Sequence, residues 1–136
     1  MIGVLVLTHG ATGEHMLATA LQIIGKTPIR SAALGVQPNE DPNAVIERAR
    51  VLAQQLDDGS GVLVLTDMYG ATPGNVAAAL LADGRVEGVA GLSLPMLIRV
   101  LSGRNGSLAA AVQRARSGGA EGVVHMNEDC CRDGKR

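Results

Sequence analysis

The chain alternates between short, continuously apolar runs and longer stretches of helical periodicity. Residues 2–7 and 62–66 are apolar at almost every position, which is typical of parallel strands covered on both faces. In the stretches that follow them, apolar residues recur every three or four positions, as in amphipathic helices. The pattern predicts strands at 2–7, 29–36, 62–66, 86–94 and 121–126, and helices at 12–25, 42–56, 74–82, 95–101 and 108–116.

Local signals support several of these boundaries. Asp41 followed by Pro42 is a good start for a helix, Thr72 followed by Pro73 is a second, and Ser107 is predicted to cap a third. Strands that alternate with helices predict an α/β fold, a three-layer sandwich with a mainly parallel, flavodoxin-like sheet of order 2-1-3-4. Residues 1–126 are predicted to form one domain, and residues 127–136 a polar, disordered tail.

Composition narrows the class of function. The formal net charge is −1 and no basic stripe is visible, which argues against binding to nucleic acid or to a membrane surface. No apolar run reaches the roughly 20 residues that span a bilayer, and no signal peptide is evident, so a cytoplasmic protein is expected. Cys130 and Cys131 are adjacent and lack the spacing of a zinc site, even with His125 nearby, so we expect no metal and no cofactor.

One sequence occurs twice and marks the candidate site. Gly-Val-Leu-Val-Leu-Thr stands at residues 3–8 and again at 61–66; His9 follows the first copy and Asp67 the second. Each copy then leads into Gly-Ala-Thr, at residues 10–12 and 70–72. Because polar groups gather at the carboxyl ends of parallel strands, and strands one and three are neighbours in the predicted order, His9 should face Asp67.

The residue types at these strand ends indicate phosphoryl chemistry. A neutral imidazole is nucleophilic, and a carboxylate that accepts one ring N–H directs the other nitrogen outward. Two predicted helices begin beside the pair, and helix N-termini bind anions. The sequence therefore predicts a phosphohistidine at His9, oriented by Asp67, with a phosphate-binding loop set of Gly10, Ala11, Gly70, Ala71 and Thr72. The alternative is structural: His9 starts a helix and Asp67 caps a loop.

These motifs resemble the mannose-type enzyme IIA domain of the bacterial sugar phosphotransferase system over residues 1–126. Thr8-His9-Gly10 matches the family's phosphorylated histidine motif, and Asp67 matches its conserved aspartate. The sequence Gly-Ala-Thr-Pro-Gly-Asn at 70–75 resembles the family's Gly-Gly-Ser-Pro loop, and Leu-Pro-Met-Leu at 94–97 resembles its Ile-Pro-Met-Leu. Ala71 replaces a glycine, Thr72 a serine, and Gly74 a residue that is usually larger.

The resemblance implies a phosphocarrier, and therefore a phosphotransferase component. Its histidine would accept a phosphoryl group from the histidine-containing phosphocarrier protein and pass it to a IIB protein, in sugar uptake or in a regulatory relay. Such a unit would be peripheral to a membrane permease at most. The resemblance also implies a homodimer whose last strand is antiparallel or exchanged between subunits. The helix predicted at 74–82 has no polar face, which independently favours a covering subunit.

Several further residues are candidates for contact with partner proteins. Tyr69 lies in the site loop, and Pro95, Met96 and Arg99 belong to the motif around 94–97. Two rival functions stay open. Histidine phosphatases and mutases also carry a phosphohistidine after strand one, but they place Arg directly before it, where this chain has Thr8. A non-catalytic module that senses a small anion could use the same strand ends.

Overall fold

The computed structural model describes residues 1–104 and 106–132, which contain four strands and six helices. The strands are β1 (Gly3–His9), β2 (Ser31–Val36), β3 (Val62–Thr66) and β4 (Val86–Ala90). The helices are α1 (Thr12–Ile24), α2 (Pro42–Leu56), α3 (Thr72–Leu80), α4 (Leu94–Leu101), α5 (Leu108–Glu121) and α6 (Met126–Arg132). None of the helices within the described ranges is long and apolar enough to cross a membrane.

All strand pairs are parallel, and the sheet has the order β2-β1-β3-β4. The predicted strand order and the three-layer α/β architecture are confirmed. Successive side chains of a strand point to opposite faces, so the two central strands supply two cores. Val4, Val6, Leu63 and Leu65 pack beneath α1, α4 and α5. Leu5, Leu7, Val62 and Val64 pack against α2 and α3 on the other face.

The two repeated strands are neighbours, but their register is shifted by one residue from the repeat. Gly3 is level with Val62, and Leu7 with Thr66, rather than each residue with its own copy. Strand alternation therefore directs Thr8 and Thr66 to opposite faces of the sheet, although they are equivalent in the repeat. The shift also brings the residue after Thr66 level with Thr8, so Asp67 lies beside the end of β1.

The helix starts follow the predicted capping signals in two of three cases. Asp41 accepts a hydrogen bond from the N–H of Asn43, and Ser107 accepts one from the N–H of Ala110. The prediction that Thr72 caps α3 is wrong, because Ala71 is the N-cap residue and Thr72 is the first helical residue. The hydroxyl of Thr72 is therefore not used as a cap, and the side chain stands at the entrance of the helix.

The prediction of a strand at residues 121–126 is also wrong. α5 continues through the Gly118-Gly119 pair to Glu121, and α6 follows after the four residues 122–125. The pair does not break the helix because it lies where α4 and α5 meet: a Cβ added to Gly118 would stand 3.2 Å from the Cα of Met96. Helical residues 126–132 also replace most of the predicted disordered tail, whose residues 133–136 lie outside the described ranges.

Two further boundaries differ from the sequence prediction. β4 ends at Ala90 rather than at residue 94, because Gly91 has a φ of +91° and turns the chain out of the sheet. α3 ends at Leu80 and does not bury its whole circumference. Pro73, Val76, Ala77 and Leu80 are buried, whereas Ala78 and Ala79 are exposed. The sheet itself thus covers much of the apolar surface that the sequence assigned to a second subunit.

A contact between two glycines fixes the edge of the sheet beside His9. Gly35 of β2 packs so closely on Gly10 that an added Cβ would overlap the Gly10 carbonyl oxygen. The N–H of Gly10 donates to Val36 at 2.9 Å, and His9 is the Cα partner of Val36. The end of β2 and the loop that follows it are therefore held in a fixed position next to the candidate site.

We expect Gly35→Ala to destabilise the fold by about 3 kcal/mol, the upper end of the range for overpacking. The added Cβ would clash with the backbone of Gly10, and no side chain could rotate to relieve the clash. Gly88→Ala in β4 is the matched control, since its Cβ would meet the flexible end of Leu81 at 3.0 Å and the nearest backbone atom, the carbonyl oxygen of Val64, only at 3.8 Å. That substitution should change the free energy of unfolding by less than about 1 kcal/mol. Urea unfolding of both variants checks the prediction, and equal losses would contradict it.

Candidate active site

His9 and Asp67 form a hydrogen-bonded pair at the carboxyl edge of the sheet. His9 Nδ1 lies 2.9 Å from Asp67 Oδ2, and the backbone N–H of His9 donates to the same oxygen at 3.1 Å. The expectation that the two side chains face each other is confirmed. Since a carboxylate oxygen accepts, the pairing places the ring proton on Nδ1 and leaves Nε2 as the nitrogen with a free lone pair.

The surroundings keep Asp67 ionised and leave His9 accessible. Burial alone would raise the pKa of Asp67, but the hydrogen bonds from the His9 ring and the His9 N–H outweigh it and hold the pKa below its usual value. Asp67 is thus a carboxylate at neutral pH. Its side chain is 20% exposed and that of His9 is 50% exposed. The orienting group is covered while the imidazole remains within reach of a protein partner.

His9 opens into a cleft of about 510 Å³ formed by three strand ends. The first residues of α1 form one wall, Thr72 at the start of α3 another, and the loop between β2 and α2 a third. The lining residues are His9, Gly10, Ala11, Thr12, Val36, Gln37, Pro38, Glu40, Pro42 and Thr72. Two helix N-termini meet here, so their partial positive charge favours an anion beside the imidazole.

Not every amide at these helix starts is available to an anion. The N–H of Gly13 donates to the buried hydroxyl oxygen of Thr8 at 2.8 Å. In α3, Pro73 has no N–H to offer. The amides of Ala11, Thr12 and Thr72, together with the Thr72 hydroxyl, remain as the donors on the wall of the cleft. The cradle is therefore smaller than two complete helix starts would make it.

The structure separates the predicted phosphate-binding residues into two groups. Gly10, Ala11 and Thr72 line the cleft with His9, whereas Gly70 and Ala71 do not. Gly70 has a φ of +83° and turns the chain toward α3, whose N-cap is Ala71. In the structure, these two residues position Thr72 at the start of α3. Tyr69 is 89% exposed and lies outside the cleft, at the surface beside it.

The predicted contact residues on α4 do not join this site. Met96 is 3% exposed and belongs to the core beneath α1, α4 and α5, so it offers no surface to a partner. Pro95 approaches Gly122, which directly follows α5, and Arg99 forms an ion pair with Glu121 at 2.9 Å. These residues hold α4 and α5 together, which corrects the prediction for Met96 and gives the other two a structural contact.

Sequence reasoning missed the third wall of the cleft. Gln37, Pro38, Glu40 and Pro42 follow β2, the strand that neighbours β1. The rule that led to His9 and Asp67 applied equally to this loop, because β2 also ends at the carboxyl edge of the sheet. The described residues contain no cluster of three or more His, Cys, Asp or Glu side chains arranged to hold a metal ion.

The family of the chain follows from its similarity to known proteins. The model of the family "PTS system fructose IIA component" matches residues 3–115, which is most of the chain. The chain belongs to this family. The resemblance seen in the sequence motifs is thereby confirmed, and IIA proteins are components of the sugar phosphotransferase system (PTS).

Curated relatives include both fused and separate IIA components. The chain is 31% identical over 124 residues to the PTS system mannose-specific EIIAB component of Escherichia coli (strain K12), covering 86% of this chain and 38% of that protein. It therefore spans less than half the length of that relative. It is 30% identical over 103 residues to the PTS system fructose-specific EIIA component of Bacillus subtilis (strain 168), covering 75% of this chain and 70% of that protein.

A solved IIA structure has the same fold. The phosphotransferase system component EIIA from Streptococcus agalactiae superposes with a TM-score of 0.78 at 26% identity. The match covers 93% of this chain and 98% of that one. The agreement extends over nearly all elements, so the sheet and helices described above form the ordinary IIA scaffold.

Proposed function

We propose that this IIA component is a phosphocarrier whose His9 Nε2 accepts a phosphoryl group. The observation that carries the proposal is the bond from His9 Nδ1 to Asp67 Oδ2, which directs Nε2 toward a cleft bordered by two helix N-termini. The donor is the histidine-containing phosphocarrier protein and the acceptor is a IIB protein. The output is sugar uptake or a regulatory relay coupled to it.

The phosphoryl group passes between two imidazoles, that of the donor histidine and that of His9, and needs no further proton or electron pair. The Nε2 lone pair attacks phosphorus, the P–N bond of the donor histidine breaks, and the donor nitrogen keeps the bonding pair. The proton on His9 Nδ1 stays in its hydrogen bond with Asp67, which stabilises the positive charge that develops on the ring. Amides of Ala11, Thr12 and Thr72 face the phosphoryl oxygens. The same steps in reverse deliver the group to IIB.

The direct test is to incubate the protein with enzyme I, the phosphocarrier protein and phosphoenolpyruvate and to measure its intact mass. We expect one phosphate, about 80 Da, that survives base and is lost in acid, because a phosphoramidate is acid-labile. A protein that gains no such phosphate is not a carrier. If it instead binds inorganic phosphate tightly without becoming modified, it is an anion sensor built on the same strand ends.

We also propose that two copies associate through the open edge of the sheet. β4 pairs with β3 on one side; on its other side, within the described residues, the only pairing is an isolated antiparallel bridge from Ala82 to Val86, at the start of the strand. The segment after α5 is strongly apolar and exposed: Val123 is 85%, Val124 53% and Met126 76% exposed. A short β-branched segment beside an unpaired strand edge is suited to strand addition. In the dimer, residues 122–126 of one copy would extend β4 of the other.

Val124→Asp should therefore weaken the dimer at least tenfold, because it places a charge in the proposed shared edge. Val51→Asp is the matched control, since Val51 has nearly the same exposure, 51%, on the outer face of α2. Light scattering over micromolar dilutions gives the association constant of each variant. A wild-type monomer at these concentrations, or equal weakening by both substitutions, contradicts the proposed interface.

A further inference from the structure

The third wall of the His9 cleft carries a fixed negative charge. Glu40 Oε1 accepts a hydrogen bond from the N–H of Gln37 at 2.8 Å, and Oε2 accepts one from Arg48 Nη1 at 2.6 Å. The hydrogen bond from Arg48 holds the pKa of Glu40 below its usual value, so the side chain is a carboxylate at neutral pH. Glu40 is thus charged, and both of its oxygens are restrained.

The carboxylate cannot easily move away from His9. The loop that bears it begins at Val36, whose carbonyl accepts the N–H of Gly10, and the Gly35–Gly10 contact allows no space between the two strands. Pro38 and Pro42, on either side of Glu40, fix two further backbone torsions. The charge is therefore part of the rigid wall of the cleft and not a surface side chain that happens to be nearby.

Arg48 offsets this charge only in part, because it pairs with Glu40 from outside the His9 cleft. Arg48 lines a neighbouring cavity of about 340 Å³ behind the loop, together with Gly10, Ala11 and Glu14, and it does not line the His9 cleft. Glu40 lines both. Among the described residues that line the His9 cleft, none is a lysine or an arginine. The cleft thus presents backbone amides and a carboxylate, with the balancing cation on the far side of that carboxylate.

This arrangement is unfavourable for holding a phosphate and favourable for releasing one. Sites that retain phosphate surround it with arginine or lysine. A carboxylate in the same cleft repels a bound dianion, lowers the affinity for free phosphate and raises the free energy of the phosphohistidine. A carrier needs the last effect, because the group must leave for an acceptor after each arrival.

We propose that Glu40 is a specificity-determining residue that excludes free anions from the His9 cleft and keeps the phosphoryl group of His9 transferable, with Arg48 setting how strongly it does so. This rests on the proposed carrier function for the phosphoryl part and stands independently of it for the exclusion of free anions. Glu40 does not itself exchange a proton or a bond with the phosphoryl group.

Two substitutions should shift the same quantities in opposite directions. Glu40→Gln keeps an acceptor for Gln37 and Arg48 but removes the charge. It should strengthen the binding of inorganic phosphate and shift the transfer equilibrium toward phosphorylated protein, each by about three- to tenfold, as expected for one partly screened charge. Arg48→Met removes the balancing cation while keeping much of the side-chain length. It should weaken phosphate binding and shift the transfer equilibrium toward the donor.

Controls separate charge from support of the loop. If Glu40 and Arg48 merely brace the loop, each substitution weakens the brace, since Glu40→Gln replaces the ion pair with Arg48 by a neutral hydrogen bond and Arg48→Met removes it, and both quantities must then change in the same direction. Arg48→Lys keeps the cation and should leave both quantities within about twofold of the wild-type values. Glu47→Gln is the matched change of charge, because Glu47 lies on α2 with 75% of its side chain exposed and pairs with Arg50 at 3.6 Å. It should have no effect.

Phosphate binding is measured on the unmodified protein by following the His9 ring resonances during titration with inorganic phosphate, and needs no partner protein. The transfer equilibrium is measured by intact mass with the phosphorylated donor. If Glu40→Gln and Arg48→Met shift the phosphate affinity in opposite directions but the wild-type protein accepts no phosphoryl group, the result supports the proposed role of Glu40 and rejects the carrier function. Two outcomes with normal transfer to the wild-type protein would reject the role of Glu40. In the first, Glu40→Gln leaves the phosphate affinity and the transfer equilibrium unchanged. In the second, Glu40→Gln and Arg48→Met shift both quantities in the same direction.

Discussion

His9→Ala is expected to abolish acid-labile phosphorylation completely, because it removes the only side chain in the cleft that has a nucleophilic nitrogen. The Thr72 hydroxyl also lines the cleft, but a phosphate ester formed there would be stable in acid. Labelling with phosphoenolpyruvate, enzyme I and the phosphocarrier protein, followed by intact mass before and after acid treatment, distinguishes the two products. The fold should be retained, because half of the His9 side chain is already exposed.

The other two histidines are internal controls for this experiment. His15 is exposed on α1, and His125 is exposed in the segment between α5 and α6. Neither lines the cleft; His125 directly precedes α6, and its Nδ1 lies 3.8 Å from the carboxylate of Glu128, which would repel a phosphate. His15→Ala and His125→Ala should each accept one phosphate at the wild-type rate. Residual acid-labile phosphate on His9→Ala, or its loss in either control, would show that the nucleophile lies elsewhere.

Asp67→Ala is expected to slow phosphorylation of His9 by about 10³-fold or more, a loss comparable to removing the carboxylate that orients a catalytic histidine, ~10⁴. The substitution removes the acceptor for His9 Nδ1 and for the His9 N–H together. The ring then has no fixed tautomer, and its developing positive charge has no partner. Rapid-quench measurement of transfer from the phosphorylated donor gives the rate.

Asp67→Asn should slow phosphorylation much less, by about 10- to 100-fold. This loss corresponds to the free energy of one hydrogen bond to a charged acceptor, ~1.5–3 kcal/mol. Two donors of His9 converge on one oxygen, so they hold the amide oxygen of an asparagine in the same place. The other side-chain oxygen lies 3.5 Å from the Thr66 hydroxyl, which can turn to accept from the amide. Nitrogen chemical shifts of His9 should show the Nδ1–H tautomer in Asp67→Asn and a mixture in Asp67→Ala. Equal rates for the two variants would contradict this account.

The strand ends that carry the pair were predictable because of how parallel sheets are built. Continuous apolar runs identified β1 and β3 as central strands, and the residue after each run had to emerge at the carboxyl edge. The sequence alone therefore pairs His9 with Asp67. The boundary of α5 could not be found in this way, since Gly118 and Gly119 are ordinary helix breakers unless another helix, here α4, packs against them.

The positions of some residues in the candidate site could not be predicted from local sequence patterns, because they depend on contacts between distant side chains. The sequence showed that Glu40 precedes a helix cap, but only the tertiary structure placed its carboxylate between Gln37 and Arg48 on the wall of the His9 cleft. Gly70 and Ala71 are the opposite case, since motif similarity assigned them to the phosphate and the structure uses them to start α3.

The amino-acid sequence by itself determined the order of the elements from β1 to α5 and the pairing of His9 with Asp67, because both follow from hydrophobic periodicity and from the polar residues that end each apolar run. The tertiary structure decided the register between β1 and β3, which is shifted by one residue from the repeat, and with it the convergence of two His9 donors on one Asp67 oxygen. It also decided that the β2–α2 loop reaches the cleft, since the Gly35–Gly10 contact brings that strand end against His9. Register and close backbone approach arise from packing between distant segments, and no local stretch of the chain contains that information.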